Sequence, residues 1–187
     1  MKITTETLQS YAENGKYRRV PISRELYADA FTPVEVMRTL RAASRHCYLL
    51  ESAEDKQRWG RYSFLGYAPT MEITCTDGHV TITEGAEEEE KTRRELNTEY
   101  PGEVLRKILE DYRSPVLEGM PPFTGGLVGY FSYDYIKYAE PSLRSGSAPD
   151  RKRDGKTGQE FRDMDLMLFD QVIVFDNYRQ KLILRTG

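Results

Sequence analysis

Cysteine is nearly missing from this 187-residue chain: only Cys47 and Cys75 occur, with no Cys-x-x-Cys spacing. A disulfide framework is therefore not expected, and with only two histidines, His46 and His79, neither is a zinc site. No stretch approaches the roughly 20 apolar residues that a membrane helix requires. Met1 to Gly15 is polar and carries Glu6 and Glu13, with no apolar signal-peptide core. Basic residues are not in excess, since 27 Lys and Arg stand against 30 Asp and Glu for a net charge of −3. Nucleic acid is thus not expected as a main partner. These absences point to a reduced, cytoplasmic, globular protein, and a chain of this length can bury a core without staples.

What is present alternates between strand and helix signals. Lys16 to Ser23 reads as an extended edge segment, because Pro21 cannot donate to a sheet. Before it, residues 1–13 allow a short helix. Thr32-Pro33-Val34-Glu35 combines a cap, a proline suited to the first helical position and a capping-box glutamate. That start predicts a helix to about Arg45. His46 to Ser52 is a compact apolar run, expected as a buried strand, and Tyr62 to Gly66 as another. Thr70–Thr76 and His79–Thr83 alternate around Asp77-Gly78, which predicts a hairpin. Residues 84–100, with four glutamates at 87–90, are expected to be a solvated loop. Gly102 to Tyr112 predicts an amphipathic helix with Val104, Leu105, Ile108, Leu109 and Tyr112 inward. Strand is expected to run on through Tyr130–Asp134. Residues 142–163 are expected to be a polar loop, followed by β-prone Leu166–Phe175, a turn at Asn177–Gln180 and a strand at Lys181–Arg185. The class implied is α+β, mostly antiparallel sheet with flanking helices.

Two glycine-containing segments do not carry nucleotide chemistry. Gly155-Lys156-Thr157 lacks the required upstream glycine, since position 150 is Asp150. Gly125-Gly126-Leu127-Val128-Gly129 does not fit Gly-x-Gly-x-x-Gly, and its glycines suit a close approach of backbone to another strand or to a ligand. The two histidines and Trp59 suggest packing and surface positions.

Leu49-Leu50-Glu51-Ser52 carries more information. An apolar strand that ends in Glu-Ser places a carboxylate and a hydroxyl at the rim of a core. Arg61, Tyr62 and Ser63 then return in the next strand. Glu51 can pair with an ammonium group, Arg61 with a carboxylate, and Tyr62 offers an aromatic wall. These are the parts needed to hold an amino acid. A surface Glu–Arg pair of little energetic value explains the same spacing.

The words also form an ordered set. Tyr48-Leu49-Leu50-Glu51-Ser52 is followed by Gly60-Arg61-Tyr62-Ser63-Phe64-Leu65-Gly66 and Pro69, then by Gly125–Asp134, by Asp165-Leu166 and by Val172–Asp176. Over about residues 46–187 this set resembles the anthranilate synthase component I family, and its close relative, aminodeoxychorismate synthase component I. The resemblance implies the N-terminal, regulatory domain of that fold across 1–187, with the C-terminal chorismate-binding catalytic domain absent. It implies a parent enzyme that converts chorismate and ammonia to anthranilate and pyruvate with magnesium. A glutamine amidotransferase subunit supplies the ammonia, and L-tryptophan inhibits by binding away from chorismate. The Leu-Leu-Glu-Ser segment contributes to the tryptophan site in that family, which implies roles for Glu51 and Ser52. Arg61, Tyr62 and Ser63 follow as neighbours, at positions that vary more within the family. The catalytic carboxylates and magnesium ligands match nothing here, so no catalytic or metal residue is assigned and the chain alone is expected to be inactive. A stand-alone amino-acid-binding or interaction domain is the alternative from another class.

Overall fold

The computed structural model describes residues 9–11, 13, 15–51, 60–85, 91–140, 142–143 and 161–187. They form two compact units, one within Met1–Thr70, Ile108–Gly126 and Leu168–Gly187, the other within Met71–Lys107 and Leu127–Met167. Ten strands follow in chain order: β1 (Ile22–Tyr27), β2 (Cys47–Leu50), β3 (Tyr62–Tyr67), β4 (Met71–Thr76), β5 (His79–Glu84), β6 (Thr92–Asn97), β7 (Gly126–Phe131), β8 (Met164–Phe169), β9 (Gln171–Asp176) and β10 (Lys181–Thr186). The helices are α1 (Pro33–Ala43), α2 (Pro101–Asp111) and the single turn α3 (Ile136–Ala139). Two five-stranded sheets result, ordered β1-β10-β9-β3-β2 and β6-β5-β4-β8-β7. The expected α+β class is the observed one.

In the first unit, α1 begins as its sequence dictates. The Thr32 hydroxyl accepts from the Glu35 N–H at 3.3 Å, and the Thr32 N–H donates to the Glu35 carboxylate at 3.0 Å. Pro33 occupies the first turn, where its missing N–H costs nothing. The helix stops at Ala43, two residues earlier than the pattern suggests, where the Ser44 N–H closes on the Leu40 carbonyl at 2.7 Å. Leu40 is buried with Leu65, Phe175 and Leu182, flanked by Val36, Met37 and Leu49. Burying one such leucine contributes about 1.5–3 kcal/mol. A second cluster holds Val172, Val174 and Ile183 with Tyr62, Phe64 and Phe123. Alternation explains the division: Leu65 and Ile173 are register partners in the first cluster, Phe64 and Val174 in the second.

In the second unit, β4 and β5 pair as the expected hairpin, Thr76 opposite His79, with Asp77 and Gly78 at φ 47° and 81° in the turn. Met71, Ile73, Cys75, Val80 and Ile82 are all buried, as their alternation requires.

Several expectations are corrected. β2 is an edge strand, partly buried with Leu50 exposed, because only β3 pairs with it. Residues 92–97 are strand β6: its pairing with β5 fixes it, while its side chains are almost all exposed and so give no apolar alternation. β7 ends at Phe131, where the Ser132 N–H donates to the Asp163 carbonyl at 2.8 Å and the chain turns into a 3-10 segment, Tyr133–Tyr135. Leu109 is exposed, whereas Leu105 and Ile108 of the same helix are buried. β1 begins at Ile22, later than the extended segment expected at 16–23, and lies at the sheet's edge. Of the proposed N-terminal helix only residues 9–11 and 13 are described, and they are helical. The glutamates 87–90, Trp59 and most of the loop 142–163 lie outside the described residues. Among the described residues no helix is long and apolar enough to cross a membrane.

Candidate functional site

β2 and β3 run antiparallel with Leu50 opposite Phe64, the last pair of the ladder, and Glu51 follows directly at the end of β2. Glu51 is exposed. Ser52 lies outside the described residues. Tyr62 opens β3 and pairs with Asp176 at the end of β9. The two strands thus deliver Glu51, Tyr62 and Ser63 to one end of the first sheet.

Arg61 is held tightly there. Its Nε donates to Asp176 Oδ1 at 3.1 Å and its Nη2 to Oδ2 at 2.6 Å, a two-pronged charge-assisted pair. Asp176 is 3% exposed and also accepts the N–H groups of Tyr178 and Arg179 at 3.2 and 3.0 Å. The Arg61 guanidinium lies 4.7 Å from the centroid of the Tyr62 ring and 5.8 Å from that of Tyr178. Its flat cation suits such stacking. The carboxylate that Arg61 meets is therefore one of the chain's own. Ser63 is completely buried, and its hydroxyl accepts from the Asn177 amide at 3.2 Å. The same Asn177 donates its backbone N–H to the Arg61 carbonyl at 2.8 Å, tying the β9–β10 turn to the start of β3.

The structure brings Arg61 and Tyr62 into contact and links Ser63 to them through Asn177. Ser63 and Tyr62 alternate, so their side chains leave opposite faces of β3. Sequence inspection missed Asp176, Asn177 and Tyr178 as parts of this end of the sheet. The available signal was an aspartate closing an apolar strand, followed at once by turn residues.

Burial alone would raise the Asp176 carboxyl pKa, but the Arg61 guanidinium and the Arg179 and Tyr178 N–H groups outweigh it and hold it below the usual carboxylate range. The sign follows. Stability from this group is fully present above the unfolded carboxyl value of about 3.9 and is lost as pH falls through the lower folded value. Urea unfolding midpoints are expected to fall on acidification below that value. Asp176→Asn should flatten this acid slope, and an unchanged slope would show that Asp176 does not carry it.

No family model matches the chain. Anthranilate synthase component 1 of Pseudomonas aeruginosa is 35% identical over 166 residues, covering 89% of this chain and 31% of that protein. The Acinetobacter calcoaceticus component 1 is 31% identical over 188 residues, covering 97% and 35%. The chloroplastic alpha subunit 1 of anthranilate synthase from Oryza sativa subsp. indica is 35% identical over 170 residues, covering 87% and 28%. The crystal structure of anthranilate synthase component I from Streptococcus pneumoniae matches with a TM-score of 0.50 and 21% identity, over 87% of this chain and 31% of that one. That structural match speaks for the fold. The chain spans about a third of the length of the relatives it matches. Over about nine-tenths of its own length, then, it is a homologue of anthranilate synthase component I.

Proposed function

We propose that the chain is the N-terminal regulatory part of a cytoplasmic anthranilate synthase component I. The carrying observation is the 35% identity to component 1 over 166 residues. In this proposal the complete subunit converts chorismate to anthranilate and pyruvate, using ammonia that a glutamine amidotransferase, component II, releases from glutamine. Magnesium and chorismate belong to the remaining two thirds of the subunit's length. Among the described residues no group of three or more His, Cys, Asp and Glu could hold a metal ion.

Tryptophan acts on this part as the feedback inhibitor. Glu51, exposed at the exit of β2, meets its ammonium group. Ser52 follows with a hydroxyl. Arg61, neutralised by Asp176, serves with Tyr62 as a rigid wall and leaves the ligand's carboxylate to other donors. Inhibition requires only that tryptophan bind the low-activity arrangement of the subunit more tightly than the active one.

The test is Ser52→Phe in the complete subunit. Inhibition by tryptophan is expected to weaken roughly tenfold or more, within the usual range of coupling between sites, while kcat and KM for chorismate hold. Unchanged tryptophan sensitivity would remove Ser52 from the site. Analysis of the product settles the reaction separately: aminodeoxychorismate in place of anthranilate would move the chain to the folate-pathway relative.

A further inference from the structure

Three side chains of the first unit, Arg185 buried and Tyr48 and Asp170 half-buried, have buried polar atoms without a hydrogen-bond partner among the described residues: the Tyr48 hydroxyl, Asp170 Oδ1, and Nε and Nη1 of Arg185. They gather at one end of the β1-β10-β9-β3-β2 sheet, the end away from Glu51 and Arg61. Tyr48 is in register with Gly66, Gly66 with Val172, and Val172 with Arg185, a single row across four strands. Register partners on adjacent strands share a face. The Tyr48 ring lies directly on Gly66, where an added Cβ would come within 2.2 Å of the ring. The ring also meets Phe169 edge-on at 4.8 Å, and Phe169 precedes Asp170. Arg19 closes the circle: its Nη1 donates to Asp170 Oδ2 at 3.4 Å and to the carbonyl of Gly187, two residues beyond Arg185, at 3.5 Å.

The charges do not balance. Arg19 and Asp170 pair with each other, which leaves Arg185 without a counterion among the described residues. Arg185 is only 6% exposed. Burial pulls its pKa down to about 10, so it still carries its charge at neutral pH. A buried, unpaired guanidinium is costly unless an anion neutralises it. The unused carboxylate oxygen of Asp170 asks in addition for a donor, and the Tyr48 hydroxyl can give or accept.

We propose that Arg185, Asp170 and Tyr48 form a binding site for a small hydroxycarboxylic acid. Its carboxylate accepts from the Arg185 guanidinium, its hydroxyl donates to Asp170 Oδ1, and the Tyr48 hydroxyl bonds whichever oxygen lies between them. The site uses none of the residues proposed for tryptophan, so the two proposals stand or fall separately.

The experiment is calorimetric titration of the complete polypeptide with glycolate and with acetate. Glycolate is expected to bind saturably, one per chain. Acetate, which lacks the hydroxyl, should bind about fivefold more weakly, as loss of one hydrogen bond predicts. Tyr48→Phe keeps the ring on Gly66 and removes only the hydroxyl; it should weaken glycolate by a similar factor. Arg185→Lys should weaken both acids. Absence of saturable binding, or binding indifferent to both substitutions, overturns the proposal. A crystal structure of the complete polypeptide with one of its own carboxylates, or only water, seated on Arg185 also overturns it.

Discussion

Asp163→Ala is expected to lower the unfolding free energy by about 3–5 kcal/mol, the cost of removing one member of a buried charge pair. Asp163 is 1% exposed in the second unit. Its Oδ2 accepts the Asp77 N–H at 2.8 Å, the Tyr138 hydroxyl at 2.8 Å and the Lys137 ammonium at 2.8 Å. One carboxylate oxygen thereby fixes the β4–β5 turn and α3. The Tyr138 hydroxyl is also the acceptor for the Gly78 N–H at 2.6 Å, so the turn is gripped at both of its central residues. Burial works against ionisation of Asp163, yet Lys137, Tyr138 and the Asp77 N–H together hold its carboxyl below the usual range. Chemical denaturation reads the effect directly. Asp163→Asn, which keeps an acceptor and loses the charge, should cost less. A loss under about 1 kcal/mol for the alanine variant would be the worth of a single ordinary hydrogen bond, and would mean that the network relaxes without its carboxylate.

Gly129→Ala should be at least as damaging. A Cβ on Gly129 would sit 2.0 Å from the Asp165 carbonyl oxygen and 2.8 Å from the Leu166 Cα. Both are backbone atoms and neither can swing aside, so β7 must move off β8. A loss of about 4–5 kcal/mol, at the far end of the range for single substitutions, is expected, together with poor recovery of folded protein. Gly102→Ala is the matched control. There the nearest atom, the Tyr135 hydroxyl, would lie at 3.5 Å, an ordinary contact, and an alanine in a helix gains about 0.5–1 kcal/mol over glycine. Thermal melts of the two variants should diverge in opposite directions from the parent. Similar melts would mean that the β7–β8 approach yields more easily than its geometry allows.

Those two residues mark what sequence reasoning can and cannot reach. The spacing of glycines around Gly129 signalled a close backbone approach, but not which strand would approach. Asp163 carried no signal, because its partners Asp77, Lys137 and Tyr138 come from distant segments. Local chemistry was legible: the Thr32 capping box, the Asp77-Gly78 hairpin and the β9–β10 turn are set by neighbours a few residues apart. β6 was hidden for the opposite reason, since its strand conformation comes from β5 across the ladder while its own side chains face water. At the candidate site the sequence singled out Arg61 and Tyr62, whose guanidinium and ring are in contact. It offered Arg61 either a ligand carboxylate or a surface glutamate, because the carboxylate it meets in the structure, Asp176, is 115 positions away.

The strand order of the first sheet also constrains when that sheet can exist. Among the described residues β1 pairs only with β10, and β3 is joined to β10 only through β9. As the polypeptide leaves the ribosome, β1 and the β2–β3 pair emerge early and have nothing between them. The hairpin β9–β10 must then arrive from the 170s and 180s of the chain and insert as a wedge. The β4–β5–β6 meander, whose contacts are local, needs no such wait. Newly made chains therefore pass through an interval with only that meander zipped, because β8 of its own sheet also comes from the 160s of the chain; the open edges are unpaired, and in that interval chaperones and aggregation compete for the chain.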